Sequence, residues 1–185
     1  NAFVSENNKL FISTGLIKYT ESYEALLAVV AHEIGHINKY HLIKRKDSAK
    51  NLKTLSNLTA LSIIGSSLIT NNNDYIAESL ITNQLGIQNY FQSFSRDQER
   101  EADNFSINTL NKLNLSTDPL LKFLNLLEKR SIQKGILLDY YKFSSHPIYK
   151  ERYKIIQNNK KNNKKKFDNK LDTKFKFIRA KLFGF

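Results

Sequence analysis

The stretch Ala25-Leu26-Leu27-Ala28-Val29-Val30-Ala31-His32-Glu33-Ile34-Gly35-His36 decides the fold. Its first seven residues are apolar on every side of a helix, and such a helix is buried rather than amphipathic. Two histidines and a glutamate at the end of a buried helix are costly unless something partners them. Residues four apart on a helix lie about 40° apart around the axis and one turn along it. His32 and His36 can therefore aim both imidazoles at one ion. Glu33 stands about 60° from His36, close enough to reach a water on that ion but too far round to share the ligand face. In this geometry two histidines hold zinc and the glutamate is a general base. Chance yields the pattern in roughly one in a few hundred chains of this size. The competing reading is a surface helix with two stray histidines, and the buried flank argues against it.

A catalytic zinc takes a third protein ligand and leaves a position for water. A third histidine with its accompanying glycine would fall at positions 42 and 39, which hold Leu42 and Lys39. His41, on a continued helix, stands about 140° round from His36; it is a poor ligand and suits the helix end or a supporting place. A different candidate lies in Ser95-Arg96-Asp97-Gln98-Glu99-Arg100-Glu101-Ala102-Asp103. Glu99 and Asp103 share a face there and Glu101 points elsewhere. Glu99 could be the ligand, with Asp103 holding the free N–H of a ligand histidine. Spacing alone supports an exposed charged helix equally well.

Around these segments the chain reads as α+β and predominantly helical. Residues 2–14 alternate as a small β-hairpin beside the motif helix, and Gly15 breaks the strand. Thr20 is the expected N-cap of the motif helix, with Glu21 and Glu24 in the first turn. Leu52–Ile69 reads as a helix packed on the domain; its apolar part, Leu55 to Ile69, falls short of the roughly 20 residues a membrane span needs. Residues 71–74 read as a loop, Tyr75–Gln84 as a helix, Gly86 as part of a connection, and Ser95–Leu113 as a helix capped by Ser95. Asp118-Pro119 opens a helix over Leu120–Lys134, and His146-Pro147 starts the last helix of the body. Residues 1–157 form the expected main domain. Residues 158–185 form an Asn/Lys-rich basic linker and a C-terminal helical segment.

The formal charge is +12 over 185 residues, and three quarters of it falls in residues 151–185. The body is thus nearly balanced. No helix-turn-helix or base-stacking motif accompanies the basic tail, which argues against nucleic acid as a partner and leaves contact with an anionic membrane surface through Lys164-Lys165-Lys166. The chain has no cysteine, which excludes disulfides and thiolate zinc ligands.

His32-Glu33-x-x-His36, then Ser95-Arg96-x-x-Glu99-x-x-Ala102-Asp103, then Ser145-His146-Pro147 with Arg152 following, resemble the M48 peptidase family over about residues 1–155. Asn1-Ala2-Phe3 and Thr14-Gly15-Leu16 also match that family's strand before the active-site helix. The resemblance implies a zincin-like fold holding one Zn2+ per chain through His32, His36 and Glu99. It implies Glu33 as base and Asp103 behind the ligands. His146 is implied near the metal, as a transition-state hydrogen-bond donor or occasional fourth ligand, with Arg152 supporting the His-Pro loop.

The family likeness is strongest for the extracytoplasmic, periplasmic members, and Phe177 to Leu182 resembles the segment leading into their tetratricopeptide repeats. Glu6-Asn7-Asn8 stands where relatives often have Pro-Gly-Gly. The function that follows is a zinc endopeptidase acting on unfolded or misassembled proteins, with an extended peptide laid along the hairpin edge at Phe3 and Val4. The other reading is a catalytically silent zinc-binding chaperone or assembly factor. Leu52 to Asn89, between the two ligand helices, could act as a lid. Oligomeric state is left open.

Overall fold

Helix α2 (Tyr23–Asn38) is the element around which the others assemble. The computed structural model describes residues 2–5, 7–70, 73–133, 150–159 and 168–184. Ahead of α2 come β1 (Ala2–Val4), β2 (Leu10–Ile12) and α1 (Thr14–Tyr19); behind it come α3 (His41–Thr70), α4 (Asn73–Lys112), α5 (Asp118–Gln133), α6 (Lys150–Asn158) and α7 (Asn169–Phe183). The protein is α+β and predominantly helical, with one two-stranded antiparallel sheet among the described residues. Its register pairs Ala2 with Ile12, Phe3 with Phe11 and Val4 with Leu10. Asn8 adopts φ 55° in the turn, a left-handed conformation that asparagine tolerates.

Both flanks of α2 are buried. Ala28 joins Ile107, Leu110, Leu115, Leu120, Leu124 and Ile156 in the main core, which ties α2 to α4, α5 and α6. Val29 packs with Ala2 and Leu16 in a second cluster under the hairpin and α1. A helix that is apolar all round finds apolar partners on both sides in this way.

Several boundaries differ from the sequence expectation. Ser22, not Thr20, caps α2, its hydroxyl accepting from the Ala25 amide at 3.2 Å. Thr20 instead closes α1, its amide donating to the Leu16 carbonyl at 2.9 Å. Either hydroxyl can cap locally; the short helix α1 claims the first one. Gly86 and Ser95 lie inside the single helix α4 rather than between two helices. An interior glycine costs a helix about 1 kcal/mol, and the packing of α4 along α3 and α2 outweighs it. Helix α3 likewise begins at His41 and absorbs the 52–69 segment. That segment is helical, yet Leu55, Leu58 and Leu61 are 60 to 67% exposed; it pairs with α4 instead of lying flat on the domain. No helix among the described residues is long and apolar enough to cross a membrane.

Helix α7 packs against α1 and α2. Phe175 is buried, and the Arg179 guanidinium donates to the Lys18 carbonyl at 3.0 Å. The lysine run at 164–166 lies outside the described residues.

Candidate metal centre

α2 and α4 pack against each other, and Gly35 leaves the room for it. A Cβ built on Gly35 would stand 3.0 Å from the Phe105 Cβ and 3.1 Å from the Ala102 Cα. These neighbours are backbone and first side-chain atoms, which cannot swing aside. Gly35 sits between Glu33 and His36, so its missing side chain sets how near α4 brings Glu99 to the two histidines. Overpacking of this kind costs about 1–3 kcal/mol, and the helix-propensity gain of alanine returns at most about 1 kcal/mol. Gly35→Ala is therefore expected to lower the urea midpoint of the metal-free protein, and Gly35→Val to lower it further. An alanine variant as stable as the native chain would refute the close-packing account.

With the helices this close, three donor groups converge. His32 Nε2 and His36 Nε2 are 3.0 Å apart. Glu99 Oε2 is 3.3 Å from His32 Nε2, and Glu99 Oε1 is 3.3 Å from His36 Nε2. Ligands on a tetrahedral zinc, bonded at 2.0–2.1 Å, stand about 3.3 Å from one another. The donor set and its spacing thus fit zinc. Two imidazoles and a carboxylate are also the donor chemistry of a catalytic rather than a structural site. His32, His36 and Glu99 are the one group of three or more metal-binding side chains found among the described residues.

Each donor is held from behind. Asp103 Oδ1 lies 2.9 Å from His32 Nδ1. Arg152 grips Asp103 with two bonds, Nε to Oδ2 at 2.7 Å and Nη2 to Oδ1 at 2.8 Å. Its Nη1 lies 3.0 Å from Glu99 Oε2. Glu99 and Asp103 are both 0% exposed. The structure thus brings Arg152, on α6, to the two carboxylates. His146, the other residue expected at the ion, lies outside the described residues, as does the loop that Arg152 was expected to support.

The electrostatics follow from two buried carboxylates facing the Arg152 guanidinium, with Arg45 Nη2 also 3.6 Å from Glu99 Oε1. Burial would lower the pKa of His32, but the hydrogen bonds and charges of Asp103 and Glu99 outweigh it and raise it to about 9. Burial works against ionisation of Asp103 too; Arg152 and His32 overcome it and hold the carboxyl below its usual range. The same carboxylates keep Arg152 protonated despite its burial. The cluster therefore favours added positive charge at His32, which a proton or a divalent cation can supply.

Glu33 is 3% exposed at the same end of α2. Phe3 and Phe11, paired across the hairpin, stack with ring centroids 5.0 Å apart, and Phe3 is 49% exposed. Val4 is half-buried beside it.

Glu101 and Gln98 escaped the sequence reading, and His41, expected at the helix end or in a supporting place, stands behind His36. His41 Nδ1 is 2.8 Å from His36 Nδ1, and His41 Nε2 is 2.9 Å from Glu101 Oε2. The projection of His41 round a continued helix fails because α2 ends at Asn38 and Tyr40 takes φ 55°, which turns the chain back. Burial lowers the His41 pKa, and the hydrogen bond from His41 lowers that of Glu101. Gln98 donates to the His41 carbonyl at 3.2 Å and accepts from Arg45. The signal for Gln98 was available: it lies four residues before Ala102 on the buried face of α4.

Over residues 1–160 the chain matches the family described as peptidase family M48. It is 28% identical over 148 residues to the beta-barrel assembly-enhancing protease of Escherichia coli strain K12, covering 80% of this chain and 28% of that protein. The protein of the same name from Yersinia pestis is 28% identical over 132 residues, covering 71% and 26%. Metalloprotease YcaL of Escherichia coli strain K12 is 30% identical over 159 residues, covering 85% and 57%. The chain thus spans from about a quarter to just over half the length of these relatives.

Proposed function

The chain belongs to peptidase family M48, and from that premise we propose that it is a zinc-dependent endopeptidase whose ion is held by His32, His36 and Glu99. Family membership and protease-named relatives support a metalloprotease role. The observation that carries the finer reading is the spacing of the three donor groups, 3.0 to 3.3 Å apart across two packed helices.

When bound, zinc supplies Lewis acidity toward a carbonyl and a water acidified toward neutral pH. The chain's own residues supply the rest. Glu33 accepts the proton of the attacking water and returns it to the leaving amine. Asp103, braced by Arg152, keeps the hydrogen of His32 on Nδ1 and leaves Nε2 free to bind. Among the described residues the sheet has two strands; an extended peptide pairing along β1 beside Phe3 and Val4 would be recognised through its backbone. Recognition of backbone suits unfolded polypeptides of varied sequence. Two of the relatives described above carry names that tie them to β-barrel assembly, and misassembled polypeptides in an extracytoplasmic, periplasmic compartment are the substrates we assign here.

The test is metal content together with hydrolysis. The native chain is expected to hold one zinc and to cleave unfolded casein, and a chelator should abolish cleavage. Glu99→Ala should weaken zinc by more than the roughly 100-fold that supporting residues reach. Unchanged zinc by elemental analysis would remove Glu99 from the ligand set. Zinc uptake with no hydrolysis by the native chain would favour a silent chaperone or assembly factor.

A further inference from the structure

If His36 binds through Nε2, its hydrogen must sit on Nδ1, because a neutral imidazole carries one. That Nδ1 faces His41 Nδ1 at 2.8 Å, and His41 Nε2 faces Glu101 Oε2 at 2.9 Å. One assignment satisfies every atom. His36 Nδ1–H donates to His41 Nδ1, and His41 Nε2–H donates to the Glu101 carboxylate.

The geometry points to His41 and Glu101 as a positioning pair that fixes the ring and tautomer of His36 for zinc. The inference rests on the zinc reading above. His32 receives its carboxylate directly, from Asp103. His36 receives one through an interposed imidazole. Glu101 lies two residues before Asp103 on α4, so both carboxylates come from one helix and both histidines from another. His41 itself is 1% exposed, and Gln98 holds its carbonyl at 3.2 Å. It therefore keeps its place between the two partners without depending on Glu101, whose side chain is 50% exposed.

Outer partners of ligand histidines contribute about 10–100-fold to metal affinity. Zinc dissociation constants, measured by competition with a chromophoric chelator, test the pair. His41→Leu removes the acceptor for His36 and should weaken zinc by about 10–100-fold. His41→Asn keeps an oxygen acceptor near the place of Nδ1, and should stay within about fivefold of the native chain. Glu101→Ala should have a smaller effect than His41→Leu. The His41→Leu, Glu101→Ala double variant should bind no more weakly than His41→Leu alone, because Glu101 acts only through His41.

Urea midpoints of the metal-free variants provide the second readout. A purely structural His41 would make Leu and Asn lose zinc in proportion to lost stability. Zinc affinity of His41→Leu within about threefold of native, equal loss in Leu and Asn, or multiplied losses in the double variant would each overturn the pair. Failure of the native chain to bind zinc would instead overturn the underlying zinc reading.

Discussion

Glu33→Gln is expected to bind zinc as the native chain does and to hydrolyse peptides about two to four orders of magnitude more slowly, the range over which a positioned general base acts. The substitution exchanges one oxygen for an NH2 group of nearly the same size at a side chain that is 3% exposed. It leaves the three donors, Asp103 and Arg152 untouched, so metal content should not change. It removes the one property the mechanism needs at that place, a carboxylate that can take a proton at neutral pH and return it. Elemental analysis and single-turnover cleavage of a quenched peptide, on the same preparation, separate the two effects. Turnover within a factor of about ten of native would show that some other group moves the proton. Loss of zinc in this variant would show that Glu33 helps to hold the ion.

Residue types and short spacings made much of this site legible, and the limits of that reading have physical causes. His32 and His36 could be placed on one face because their relation lies within a single turn. The burial of α2 could be read because seven apolar residues leave a helix no polar side. Glu99 and Asp103 were legible as a pair for the same reason. Their meeting with α2 was implied by the family resemblance and not by spacing, because it depends on Gly35 and Ala102 allowing close approach, a property of two surfaces that no single spacing expresses. His41 was legible as a supporting residue, but its contact with His36 was not: angular bookkeeping round a helix holds only while the helix lasts, and a left-handed Tyr40 ends it. With His41 projected away, Glu101 had no partner to reveal it.

Helix ends were less legible than helix faces. Gly86 and Ser95 carry genuine local signals for a break, each worth about 1 kcal/mol. A 40-residue helix that pairs with α3 at one end and α2 at the other overrides them. Local preference decides a boundary only where tertiary contact is weak, and α4 has contact on both sides of those positions. The same logic explains the exposed leucines of α3. Their apolar character favours burial, but α3 is covered mainly by α4, so one flank stays in solvent.

Arg152→Met carries the largest expected loss of stability. Arg152, Asp103 and Glu99 are 5%, 0% and 0% exposed, and Arg152 makes close contacts to both carboxylates at 2.7 to 3.0 Å. Methionine occupies similar space along the stem but leaves Asp103 without a guanidinium and Glu99 with only Arg45, at 3.6 Å. Breaking one side of a buried charge cluster costs about 3–5 kcal/mol, and urea denaturation in chelator should read a loss of that order. In excess zinc the loss should be smaller, because a dication at His32, His36 and Glu99 supplies the charge that Arg152 withdrew. The zinc-dependent gain in stability grows as the dissociation constant falls, so the variant should bind zinc more tightly than the native chain. His41→Leu moves affinity in the opposite direction, which separates charge balance from ligand orientation. Equal losses with and without zinc would show that Arg152 shapes Asp103 and Glu99 rather than balancing their charge; a loss below about 1 kcal/mol in chelator would show that the cluster was never short of a cation.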